Sequence, residues 1–183
     1  MSIRKVGSYK NSSEYIQKTI DINRKIPLIH SLEELEENEK EFTKREYLSI
    51  AQSLMEMEIW DNSSWEERQI LAPILHSFYD HNNCLVLIYP RFEPLADEMS
   101  CFRMEEEEIA TALQEILARK GMDDEEIGNF IQKVTDFNSS WDMNEGDTIL
   151  NLNNIGYSKI FGVRLIDFGL SMETTEKFYG KEK

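Results

Sequence analysis

The sequence predicts an α+β fold, and three observations carry that expectation. Stretches with apolar residues at helical spacing occupy residues 31–60, 105–120 and 123–137. The aliphatic run Cys84-Leu-Val-Leu-Ile-Tyr89 follows a polar turn, as the central strand of a hairpin does. Beyond Phe137 the pattern changes to loop, short strand, turn and strand. There are no internal repeats and no low-complexity tract.

In order along the chain, Tyr15, Ile16, Thr19, Ile20 and Ile22 suggest a short helix over 13–25, ended by Pro27. Ser31-Leu-Glu-Glu34 has the form of a capping box. Leu32, Leu35, Phe42, Tyr47, Ile50, Ala51, Leu54 and Met57 then predict one long helix that stops near Asp61-Asn62-Ser63-Ser64. A short helix over 65–71 leads, after Pro73, to a β-hairpin of 74–79 and 84–89 around Asp80-His-Asn-Asn83. Pro90 and Pro94 impose an extended connector. Ile109, Ala112, Leu113, Ile116 and Leu117 line a helix closed by Gly121, and Ile127, Phe130, Ile131 and Val134 line the next. Two short strands follow, 148–152 and 163–166, about a turn at Asn153-Asn154.

A chain of 183 residues suits one domain, or two small lobes, and can bury a core without a disulfide or metal staple. Its 35 acidic and 20 basic residues give −15, a field that repels nucleic acid and anionic membranes where no basic cluster offsets it. No such cluster occurs. The acid gathers in 33–41 and 105–108, at helix starts, where it complements the helix dipole and solvates one face. Without a secretory h-region or a long apolar run, the expected compartment is the reducing cytoplasm, with Cys84 and Cys101 as free thiols. His30, His76 and His81 lack ligand partners at metal-site spacing, and Trp60, Trp65 and Trp141 suit packing roles. No Gly-x-Ser-x-Gly, His-Glu-x-x-His or P-loop pattern is present.

The chemistry-bearing residues lie near the end of the chain. In "WDMNEGDTIL" Asp142 starts a loop and Asp147 follows five residues later; in "VRLIDFGLS" Asp167 ends a strand. Phosphoryl transfer needs one carboxylate to orient the acceptor hydroxyl and take its proton, and further oxygens to hold Mg²⁺ against the nucleotide phosphates. Loops beside short antiparallel strands can supply both.

With "LIDFGLS", this order resembles the eukaryotic-like protein kinase superfamily, especially its reduced bacterial, archaeal and viral members. The resemblance implies a protein kinase-like fold with a degenerate small lobe over 1–90 and a truncated, helical large lobe over 91–183. It implies Asp142 as the catalytic-loop aspartate, and Asp147 and Asp167 as Mg²⁺ ligands. In "IYPRFEPLAD" it implies that the backbone of Tyr89, Arg91 and Phe92 meets the adenine of ATP. Glu46 in "KREYL" is the implied lysine-pairing glutamate of the small-lobe helix, and Lys25 the candidate lysine.

Several family parts are missing. No Gly-rich loop precedes the proposed helix, Ser140-Trp141 replaces the usual pair before the catalytic aspartate, and an aspartate replaces the metal-binding asparagine. The expected function is therefore a kinase-like protein that binds Mg·ATP as a weak phosphotransferase or a pseudokinase. The second reading, from the −15 charge, is a small acidic interaction or inhibitor protein of viral or mobile-element origin that covers a basic partner surface.

Overall fold

A computed structural model describes residues 7–11, 14–20, 22–96, 105–144, 146 and 148–179. In chain order its elements are β1 (Gly7–Asn11), β2 (Tyr15–Ile20), α1 (Leu32–Glu37), α2 (Lys44–Asn62), α3 (Trp65–Arg68), β3 (His76–Tyr79), β4 (Leu85–Pro90), β5 (Glu93–Pro94), α4 (Glu106–Arg119), α5 (Asp124–Trp141), β6 (Ile155–Ser158), β7 (Gly162–Leu165) and α6 (Met172–Tyr179). The class is α+β, with two small antiparallel sheets. The chain divides into two units, one of Met1–Asn62, Pro73–Arg91 and Glu173–Lys183, the other of Ser63–Ala72 and Phe92–Met172. Among the described residues no helix is long and apolar enough to cross a membrane.

The first unit is built on a four-stranded sheet of order β1-β2-β4-β3. The helix expected over 13–25 is instead strand β2, paired along its length with β4 from Tyr15↔Pro90 to Thr19↔Val86. Pairing with the buried aliphatic strand β4 outweighs weak helical propensity. The single helix expected over 31–60 is also corrected, into α1 and α2 with a 3₁₀ turn, Glu39–Glu41, between them. Ser31 caps α1 as predicted, but Glu34 turns its carboxylate to the His30 N–H. Thr43 and Glu46 form a second reciprocal capping pair, which restarts the helix.

Helix α2 lies against β2 and β4 and buries Tyr47, Ile50, Ala51, Leu54 and Ile59. The predicted hairpin of β3 and β4 forms, with Asp80 Oδ1 accepting from the N–H groups of Asn82 and Cys84. Asn83 takes a positive φ of 65°, a conformation asparagine tolerates. Its amide donates to Ile26 O at 2.7 Å, that of Asn82 to Ile22 O at 3.1 Å, and Tyr79 OH to Ile29 O at 2.6 Å. These bonds pin the connector between β2 and α1 to the hairpin. Helix α6 adds Lys177, whose ammonium sits 4.5 Å above the Tyr47 ring and donates to its hydroxyl.

In the second unit α5 packs on α4 and α3, and β5, β6 and β7 form the smaller sheet. Leu113, Leu117, Phe130, Val134, Phe137, Ile155, Leu165 and Phe168 are among its buried apolar residues. The strand expected over 148–152 is a turn followed by a 3₁₀ segment, Leu152–Asn154, and β6 starts only at Ile155. The cause is local: Asn151 Oδ1 accepts from the Asn153 N–H, and Asn151 O from the Asn154 N–H, so the backbone turns before it can join a ladder. Strand β7 also exchanges bonds with the segment after α3, where Leu165 N–H donates to Ile70 O and Ala72 N–H to Leu165 O, both at 2.7 Å.

Candidate functional site

Each unit carries one cluster of chemistry-bearing residues. In the first unit, Lys18 projects from β2 and its Nζ donates to Glu56 Oε1 of α2 at 2.6 Å. The other carboxylate oxygen of Glu56 accepts from Tyr89 OH of β4, also at 2.6 Å. Glu56 is completely buried, while the Lys18 side chain keeps 11% of its surface. A charge in that position persists only when paired and hydrogen-bonded, and here both oxygens are occupied. An inward turn of α2 thus presents Glu56, whereas Met57, expected inward, is half-buried.

The residues that the sequence proposed for this pairing lie elsewhere. Lys25 is exposed in the pinned connector. Glu46 works as a helix cap, accepting from the Thr43 N–H at 2.8 Å and from Arg24 at 3.2 Å. Partial burial works against its charge, but the Thr43 bonds and the Arg24 guanidinium outweigh it and hold the carboxyl below its ordinary value. Lys18 thus pairs with Glu56, and Glu46 with Arg24.

Of the proposed adenine-contacting residues, Tyr89 is buried within β4 and gives its hydroxyl to Glu56. Arg91 is exposed, and its backbone N–H donates to Glu14 O at 2.9 Å. Phe92 opens the second segment of the second unit, buried with its ring 6.1 Å from that of Phe161. Gly156 makes room for it: a Cβ there would stand 2.8 Å from Phe92 Cβ and 2.9 Å from Ile166 Cγ2.

In the second unit α5 delivers Asp142 at its C-cap, in the left-handed conformation (φ 48°, ψ 47°), with an exposed side chain. The backbone N–H groups of Asp142 and Met143 both bond to Asn138 O, which closes the helix. Just before the cap, Trp141 Nε1 donates to Glu67 Oε1 at 2.8 Å. From Asp142 the chain pairs with the segment that follows Asp167-Phe168-Gly169: Met172 N–H donates to Asp142 O at 2.7 Å, Met143 bridges Ser171, and Asn144 N–H donates to Leu170 O. Phe168 is buried against Phe137 of α5, edge to face, with centroids 6.5 Å apart.

Asp167 is half-buried directly after β7. Asp147 lies outside the described residues, as does Cys101. Sequence reasoning passed over Asn154: the Ile166 N–H donates to Asn154 O at 2.8 Å, which sets buried Asn154 across from the neighbour of Asp167. The readable signal was an Asn-Ile step immediately before a strand, in "LNNIGYS". Among the described residues no group of three or more His, Cys, Asp or Glu side chains could hold a metal.

Comparisons of the chain with protein-family models, with curated proteins and with solved structures found no match.

Proposed function

We propose that this chain is a protein kinase-like protein that binds Mg·ATP, acting as a weak phosphotransferase or a pseudokinase. The observation that carries the reading is the Lys18–Glu56 pair, a strand lysine held by a helix glutamate, with Tyr89 on the glutamate. A lysine fixed in that way is the point charge such proteins place on nucleotide phosphates. The second support is the order Asp142, Asn154, Asp167, in which a helix cap leads to an exposed carboxylate and a two-stranded ribbon ends beside two oxygen-bearing side chains.

In this reading Lys18 of the first unit would bind phosphate, and within the second unit Asp167 and Asn154 would be the residues to hold Mg²⁺, which would neutralise phosphate charge when bound. Asp142 orients an acceptor hydroxyl and takes its proton. The test is thermal unfolding with and without Mg·ATP. The melting temperature rises in the wild-type chain, and Lys18→Met and Asp167→Asn each remove the rise. No rise in the wild-type chain rejects nucleotide binding. Labelled-phosphate transfer that is lost in Asp142→Ala then identifies a phosphotransferase, and binding without transfer a pseudokinase.

One observation favours the second reading, an acidic interaction protein: Glu33, Glu36, Glu37, Glu39 and Glu41 are all exposed on and just after α1. Such a surface would capture a basic partner with steep salt dependence and would keep doing so in Asp142→Asn/Asp167→Asn. Capture that is insensitive to salt, or lost in that double variant, counts against it.

A further inference from the structure

Asn138 occupies the last turn of α5 with only 4% of its surface exposed, and among the described residues neither Oδ1 nor Nδ2 has a hydrogen-bond partner. A buried primary amide left unpaired costs more than an apolar side chain of the same size, so the position is poorly used as packing alone. Its place along the chain is specific. The main-chain carbonyl of Asn138 receives the N–H groups of Asp142 and Met143, and the neighbouring Phe137 packs on Phe168. The main chain of Asn138 therefore anchors the start of the strip in which 142–144 pairs with 170–172.

We propose that Asn138 is a positioning residue for Asp142. Its amide, with two donors and two acceptor lone pairs, bonds to this strip when Mg·ATP is bound and fixes the Asp142 carboxylate where it can meet an acceptor hydroxyl. Hydrogen bonds of this kind are often unmade before the substrate is in place and tighten afterwards. The proposal rests on the kinase-like reading above and adds to it a residue that touches neither nucleotide nor metal.

The test compares the full-length wild-type chain with Asn138→Leu, which keeps the volume, and Asn138→Ala, which keeps only the methyl group. Two quantities are measured: the melting-temperature rise on adding Mg·ATP, and amide hydrogen exchange of Met143, Asn144 and Met172 with and without Mg·ATP. In the wild-type chain, nucleotide slows exchange of these three amides at least ten-fold. Both variants keep the melting-temperature rise but lose most of that slowing, and Asn138→Leu melts no lower than wild type. Slowing equal to wild type in either variant overturns the proposal while leaving nucleotide binding intact. Loss of the melting-temperature rise in the variants alone also overturns it, because Asn138 would then support binding or folding rather than position Asp142. If the wild-type chain itself shows no rise, the kinase-like reading fails and this inference fails with it.

Discussion

Lys18 and Glu56, 38 residues apart in sequence, meet at 2.6 Å between a strand and a helix, with the carboxylate wholly buried. Removing one partner of such a pair strands the other. Glu56→Ala takes this acceptor from the lysine and from Tyr89 OH and should cost about 3–5 kcal/mol of unfolding free energy. Lys18→Met/Glu56→Leu replaces both charges by apolar groups and should cost much less. Urea unfolding of the single and double variants measures the difference. A double variant as unstable as Glu56→Ala would show that the cost lies in packing.

Asp142 separates a structural from a chemical role, because its backbone is left-handed. Asp142→Gly removes the Cβ penalty and should leave stability equal or higher, whereas Asp142→Ala should lose about 1–2 kcal/mol. Any phosphate transfer should vanish in both. Transfer that survives in the glycine variant would relieve Asp142 of its proposed role.

Gly156 is needed for close approach rather than for its backbone angles. In Gly156→Ala the new methyl group overlaps Phe92 Cβ and Ile166 Cγ2, and the variant should be about 1–3 kcal/mol less stable. Ile166→Ala in the same chain removes one of the two obstacles and should recover part of the loss relative to the sum of the single variants. Strict additivity in the double-mutant cycle would mean that the two residues do not collide.

Glu67 gives the end of α5 an acid-sensitive tie. Partial burial works against its charge, but hydrogen bonds from Ser64 and from the Trp141 indole outweigh it and hold the carboxyl below its ordinary value. A carboxyl depressed in the folded state contributes stability above its unfolded value of 4.5, and this is lost as pH falls through the lower folded value. Wild type should therefore lose more stability than Glu67→Gln between about pH 5 and about pH 3. Parallel acid limbs for the two proteins would remove Glu67 from the account.

Much of the fold was legible where local signals agree with packing. The β3–β4 hairpin carries its own turn chemistry in Asp80 and Asn83, and α4 and α5 show a clean apolar stripe with capping residues. Strand β2 was misread because its partner, β4, lies some seventy residues on, and no local pattern announces that pairing. The same distance hid the site. Lys18 stands between Ile16 and Ile20 at strand spacing, which reads as an inward lysine only once β2 is known to be a strand. Glu46 attracted the role of pairing glutamate because of its place near the start of a helix, which is where a capping residue belongs. Asn154 stayed hidden because 148–152 reads as a strand, whereas a turn and a 3₁₀ segment, held by the Asn151 side chain, carry the chain to β6.

The first unit gathers residues from Met1–Asn62, Pro73–Arg91 and Glu173–Lys183, and the contact of Lys177 with Tyr47 spans 130 positions. During synthesis on the ribosome, the second unit's residues emerge before that contact can form. A chain truncated after residue 172 should therefore hold every residue of the second unit and a first unit lacking α6, and pulse proteolysis of it should nick the first unit preferentially.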